Sequence, residues 1–265
     1  MTMASQEEKE GYLGQGLIDG RSLRFSHKKA DLLKYPEVVH VLEGLEEIRS
    51  AGRPVTVKIS GGLEPMTDPE RVAFILEVGK ERGFPVRIYS NGILIDTPDL
   101  RNLVLKADDL RVSLNALNEA YFQEIYRAGT TKSKRINYEK IITVLQDLVA
   151  ERKRIGSKTL IGINYVVVKE NIYEMWKMAA LCEEIGLDYV NYNTDYCDDF
   201  NAQIYLAIEH QVKKIKAMKT QGELNQVSVS FGGALLQNNV FSKQPVGHFD
   251  PKEMSRLKVF VDPGG

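Results

Sequence analysis

Two hydrophobic periods alternate along this chain. Over residues 36–50, Val38, Val41, Leu42, Leu45 and Ile48 fall on one helix face, and Ala51-Gly52 supplies a stop. A β-branched run at 55–60 predicts a strand. Residues 68–83 return to the helical period, with Val72, Ile75, Leu76 and the small Gly79 on one face. Strand 86–91 follows, then a helix opened by Thr97-Pro98, where proline suits the first turn. Strand 110–115 precedes a helical pair at 119–127 and 137–155. Strand 159–168 leads to helix 172–185, closed by Gly186, and strand 188–193 to helix 202–220. A short strand at 227–231 and a final one at 257–261 complete the pattern. A βα unit recurring roughly every 25–40 residues argues for a parallel sheet with right-handed crossovers.

These strands are not the continuous apolar runs of a sheet buried on both faces. Val55, Val57 and Ile59 share one face, and Lys58 and Ser60 the other. Val86 and Ile88 oppose Arg87, Tyr89 and Asn91, while Val112 and Leu114 oppose Arg111, Ser113 and Asn115. Gly162 and Asn164 share a face, as do Asn191 and Asn193. Successive side chains on a strand point to opposite faces, so the face away from the helices is polar. Its polarity thickens toward the C-terminal strand ends. A partial α/β barrel with a wet, ligand-holding interior accounts for this, because ligands sit at the carboxyl ends of parallel strands. An antiparallel sheet with one solvated face would alternate too, but helical segments between nearly every pair of strands argue against it.

The length, 265 residues, suits one large domain, and 27% charged residues with a net charge of −1 give no sign of a nucleic-acid or anionic-membrane partner. No apolar run approaches the roughly 18 residues of a membrane span. Residues 1–10 are polar and acidic, unlike a secretory signal. The two cysteines, Cys182 and Cys197, are too few for a disulfide framework and lack metal-site spacing. A cytoplasmic, reduced protein is expected, with no metal ligands and no catalytic residue assigned.

The chemistry gathers at five strand ends. They read Ser60-Gly61-Gly62-Leu63-Glu64-Pro65, Tyr89-Ser90-Asn91-Gly92, Val112-Ser113-Leu114-Asn115, Ile161-Gly162-Ile163-Asn164-Tyr165 and Tyr189-Val190-Asn191-Tyr192-Asn193. Glycines let a backbone come close to a ligand, and a following acid can bind an amino group. In this order and spacing the five ends resemble the core of the radical S-adenosylmethionine (SAM) enzymes, over residues 55–193.

The resemblance implies a partial (β/α)6 TIM-like barrel of parallel strands with outer helices, and SAM across its top. Ser60, Gly61, Gly62 and Glu64 match the glycine-rich element that holds the methionyl amino group, although Leu63 is inserted before the acid. Asn91 matches a strand end that contacts SAM in the family. Ser113 and Asn115 match positions that bind the ribose or the carboxylate, where the family often has Asp instead of Asn115. Asn164 matches the strand that helps hold adenine, and Asn191 and Asn193 the sixth strand, which meets adenine or substrate. The substrate is an unidentified small molecule or peptide.

Other readings of these residues stay open. Asn91-Gly92 is also an ordinary turn dipeptide. Lys58 and Arg111 read equally as interior charge partners of Glu64 or Asp195. An aldolase-like barrel with Lys58 as Schiff base fits poorly, because such a lysine needs a dry pocket. His27, His40, His210 and His248 show no ligand spacing. Cys182 reads as core, and Cys197 as a partly buried bystander nearer the site.

Family chemistry depends on a Cys-x3-Cys-x2-Cys loop, whose thiolates bind a 4Fe-4S cluster. No cysteine precedes Cys182. The segment 11–17 resembles what would follow that loop, and 257–265 the strand and turn opening an auxiliary-cluster extension. A truncated chain, a wrong gene start and a degenerate paralogue are the competing explanations. The expected organisation is an N-terminal segment, 1–35, lacking the first strand and cluster loop; a barrel core, 36–222; and a C-terminal extension, 223–265. Two functions follow. One is the body of a radical SAM enzyme, inactive by itself, that in a complete form with its cluster generates a 5'-deoxyadenosyl radical. The other is a cluster-free degenerate barrel that binds a nucleotide-like ligand or a partner protein.

Overall fold

A computed structural model describes residues 14–18, 21–25, 34–60, 64–126, 138–194, 202–232 and 258–261. Strands β1 (Gly14–Ile18) and β2 (Arg21–Phe25) form an antiparallel hairpin, paired from Gly14↔Phe25 to Ile18↔Arg21. The other strands are β3 (Thr56–Ile59), β4 (Val86–Ser90), β5 (Asp109–Ser113), β6 (Leu160–Val167), β7 (Tyr189–Thr194), β8 (Ser228–Phe231) and β9 (Lys258–Val261). They make one sheet in the order β8-β7-β6-β5-β4-β3-β9. The helices are α1 (Tyr35–Ser50), α2 (Pro69–Glu81), α3 (Pro98–Val104), α4 (Glu119–Tyr126), α5 (Tyr138–Ile155), α6 (Met175–Ile185) and α7 (Ala202–Thr220). Parallel strands with helices between them fit the partial α/β barrel class expected from the two alternating periods.

Two features depart from that expectation. The β1–β2 hairpin occupies a segment where no strand is legible, because its ten residues include Gln15, Arg21 and Arg24 and a single β-branched residue, Ile18, rather than a β-branched run. The final strand, β9, joins the parallel sheet beside β3, with Ile59 opposite Val261. No helix among the described residues is long and apolar enough to cross a membrane.

The chain divides into two compact units. In the first (1–110, 151–159 and 248–265), Val57, Ile59, Val86 and Ile88 are wholly buried, and Leu42, Ile75 and Leu76 of the helices are within 2% of full burial. Each such side chain contributes about 1.5–3 kcal/mol. Gly79 permits the close approach of α2 to β4, since a Cβ there would lie 3.1 Å from Val86 Cγ2. Asp68 caps α2 by accepting from Arg71 N, and Thr97 caps α3 by accepting from Leu100 N at 3.3 Å.

The second unit (111–150 and 160–247) buries Ile161, Ile163, Val167 and Val190 on the apolar side of β6 and β7. Tyr165 and Tyr192 lie on that side too, fully buried and edge-on with centroids 5.5 Å apart. Their hydroxyls are satisfied: Tyr165 donates to Asn171 O at 2.9 Å and Tyr192 to Met175 O at 2.6 Å. Each unit repeats one joint. Asp108, just before β5, receives Val86 N at 2.8 Å; Asp188, just before β7, receives Ile161 N at 2.7 Å. In both, the backbone N–H of the aspartate returns a bond to the same strand start, at 2.9 Å.

Candidate functional site

The first unit places Glu64 at the start of a 3-10 turn, Pro65–Thr67, which Pro65 opens. Glu64 Oε1 accepts from Ser90 Oγ at 2.6 Å and from Met66 N at 3.3 Å. Its Oε2 accepts from Asn91 N at 2.7 Å. The carboxylate therefore bridges the ends of β3 and β4. Burial pushes its pKa above the usual carboxylate range, and the three hydrogen bonds only moderate that rise. Oε2 accepts one bond, so one of its lone pairs is uncommitted among the described residues.

Asn91 is brought to this acid through its backbone. Its side chain Oδ1 accepts from Ile93 N at 3.0 Å, forming an Asx turn with Gly92 at φ +79°. The turn reading of Asn91 holds, and the same turn brings its backbone N–H to Glu64. Ser90 was missed as a site residue: it is buried, donates to Glu64 and accepts from Gly92 N at 2.9 Å. The signal was present in the Ser90-Asn91-Gly92 strand end. Ser60 is half-buried at the end of β3, and Gly61 and Gly62 lie outside the described residues. Lys58 Nζ stands 3.8 Å above the Tyr89 ring, a cation–π contact.

In the second unit the predicted asparagines come together on one face. Asn164 and Asn191 are register partners across β6 and β7. Asn193 Nδ2 donates to Asn164 Oδ1 at 2.7 Å, and Ser230 Oγ donates to Asn191 Oδ1 at 2.8 Å. Asn115 sits beside β6, where its Oδ1 accepts from Val166 N at 2.8 Å. Ser113, half-buried, precedes it by two residues on the same face by alternation. Arg111 lies further down this face. Its Nε donates to Tyr189 Oη at 3.2 Å, and the Tyr189 ring covers Gly162, where a Cβ would come within 2.4 Å of the ring.

Asn171 holds this arrangement and escaped sequence reading, since Lys169-Glu170-Asn171 reads only as a turn. It is fully buried. Its Nδ2 donates to Asn115 O at 3.0 Å and Val166 O at 2.9 Å, and its Oδ1 accepts from Val168 N at 2.8 Å. Gly232 also escaped. A Cβ there would lie 2.1 Å from Asn193 Oδ1, so only glycine leaves room for that carboxamide.

Cys182 is wholly buried in α6, and burial pushes its thiol pKa up, so it stays a neutral thiol. Cys197 and Asp195 lie outside the described residues. No group of three His, Cys, Asp or Glu side chains suited to a metal ion occurs among the described residues.

No protein-family model matches the chain, and no curated protein does. Solved structures do match it in fold. SuiB of Streptococcus suis bound to S-adenosylmethionine is similar at a TM-score of 0.60 and 14% identity, over 83% of this chain. SuiB bound to the precursor peptide SuiA is similar at 0.56 and 14%, over 84% of this chain. The chain spans about half the length of these proteins, 47% in both cases. The fold expected from the strand ends is therefore that of a protein crystallised with SAM.

Proposed function

We propose that this chain is the SAM-binding core of a radical SAM enzyme. The observation that carries the reading is Glu64. Its carboxylate closes the end of β3 against Ser90 and Asn91, in a fold shared with SuiB, one structure of which holds SAM. In this reading Ser60, Gly61, Gly62 and Glu64 hold the methionyl ammonium, with Asn91 beside them. Ser113 and Asn115 serve the ribose or carboxylate, and Asn164, Asn191 and Asn193 face adenine or substrate. A peptide substrate is proposed because SuiB is also seen with its precursor peptide.

The residues of this chain do not fit a 4Fe-4S cluster. Three thiolates are required, whereas the sequence has two cysteines and one is a buried neutral thiol. No step through a cluster is assigned to this chain. The role proposed for its own residues is to bind and orient SAM.

Calorimetry with SAM tests the reading. Expected is weak binding, on the order of 0.1–1 mM or roughly 4–5.5 kcal/mol, lost in Glu64→Gln. No binding at millimolar SAM overturns the proposal. Submicromolar binding without iron replaces it with the cluster-free barrel. Anaerobic iron and sulfide reconstitution should leave the protein colourless, and a stoichiometric cluster would refute the ligand argument.

A further inference from the structure

Among the described residues Glu64 is an acid without a counter-cation. It forms no ion pair there, and the three groups that bond it, Ser90 Oγ, Met66 N and Asn91 N, are all neutral. Its neighbours shut out water: Ser90 and Met66 are each 3% exposed, and Pro65 is buried. The preceding residues 61–63, Gly-Gly-Leu, carry no titratable group.

The turn that Glu64 opens packs against α2 and β4. Charged groups on these elements have other partners. At the start of α2, Arg71 Nε pairs with Asp68 Oδ2 at 3.1 Å, and Glu70 is exposed. On β4, Arg87 Nε lies 3.7 Å from Asp109 Oδ2. Tyr89 lies under Lys58 Nζ of β3. A carboxylate taken out of water without a cation is unfavourable, and either a proton or an arriving cation relieves it.

We propose that Glu64 exchanges a proton for the ligand's ammonium group. Below its titration midpoint the free carboxyl holds the proton. When an R–NH3+ group arrives, the O–H bond breaks, the proton passes to solvent and the carboxylate pairs with the ammonium. Charge and atoms balance: one cation enters and one proton leaves. The inference rests on the reading of Glu64 as the ammonium-binding acid and adds its regulation by pH.

Burial holds this carboxyl above its ordinary value of 4.5, so the exchange operates above that pH. SAM affinity should fall about tenfold per pH unit below the midpoint of the free protein. Between about pH 5 and 7 the ligand's own ammonium stays charged, so the dependence belongs to the protein. Carbon-detected NMR of 13C-glutamate-labelled protein follows the Glu64 carboxyl directly, its signal identified by loss in Glu64→Gln. Calorimetry in two buffers of different ionisation heat counts the protons released by SAM. The control probe is 5'-methylthioadenosine, which lacks the ammonium.

Free Glu64 should titrate above 4.5, and saturating SAM should lower its midpoint by about one unit or more. Ser90→Ala removes a neutral donor to the ionised form and should move the free midpoint further up. SAM should release protons near the free midpoint, and methylthioadenosine none. The proposal is overturned if free Glu64 titrates at or below 4.5, if SAM leaves the midpoint in place, if Ser90→Ala lowers it, or if methylthioadenosine releases as many protons as SAM. Absence of SAM binding at every pH is a different failure: it removes the ammonium-binding reading itself, and the inference with it.

Discussion

Glu64 in the first unit and Asn171 in the second fasten the C-terminal ends of adjacent strands with opposite chemistry. Glu64 joins the ends of β3 and β4 as a carboxylate collecting three donors. Asn171 joins the end of β5 to that of β6 as a neutral amide, giving two hydrogen bonds and receiving one. The neutral fastener is fully buried and commits both of its amide hydrogens to the protein. The charged one is desolvated at a cost, visible in its raised pKa, and keeps an acceptor position for something else. One joint is neutral and closed; the other is a desolvated acid, the residue on which the proposed SAM site turns.

Breaking the two joints should therefore give different losses. Asn171→Ala leaves two carbonyls and one N–H without partners in a buried place, and should cost about 3 kcal/mol, read from urea denaturation. A loss below about 1 kcal/mol would mean that water replaces the amide and that it is no fastener. Glu64→Ala should cost less, about 2 kcal/mol, because removing the acid also removes its desolvation penalty. Unlike the first variant, it should abolish SAM binding while leaving the asparagine face intact.

Gly232→Ala is the next smaller test, at about 1–2 kcal/mol. Its methyl group would displace the Asn193 carboxamide and release Asn164 Oδ1. Thermal melts give the stability change, and the Asn164 and Asn193 side-chain NMR signals should move together. Movement of neither would separate Gly232 from the amide network.

The smallest effect is a dependence on pH that only the charged joint carries. A carboxyl group with a raised folded-state pKa contributes stability below its unfolded value, near 4.5, and loses it as pH climbs through the folded value. Denaturation from pH 4 to 7 should show wild-type stability falling in that window, and Glu64→Gln should fall less. Glu174, also raised by burial, adds a slope of the same sign in both proteins. An identical slope in wild type and Glu64→Gln would place the whole effect on Glu174.

Much of the fold was legible because burial writes itself into periodicity. The strands end within a residue or two of their expected limits, and Val57, Ile59, Val86 and Ile88 are all buried as the alternation requires. The hairpin at residues 14–25 was not legible, having no sustained apolar alternation. For the site, residue types at strand ends pointed to Glu64, Asn91, Asn164, Asn191 and Asn193. Asn171 and Gly232 were missed because each is an ordinary turn-former in sequence. Their importance lies in partners 5 to 56 residues away, or in a neighbour's side chain that needs the space.

The sequence by itself determined the element order, the apolar and polar faces and the collection of carboxamides on one of them, because local backbone geometry converts spacing into facing. Only the tertiary structure decided which atoms of those side chains are already used. That Asn115, Asn164 and Asn191 are already engaged depends on Val166, Asn193 and Ser230, groups supplied by other strands.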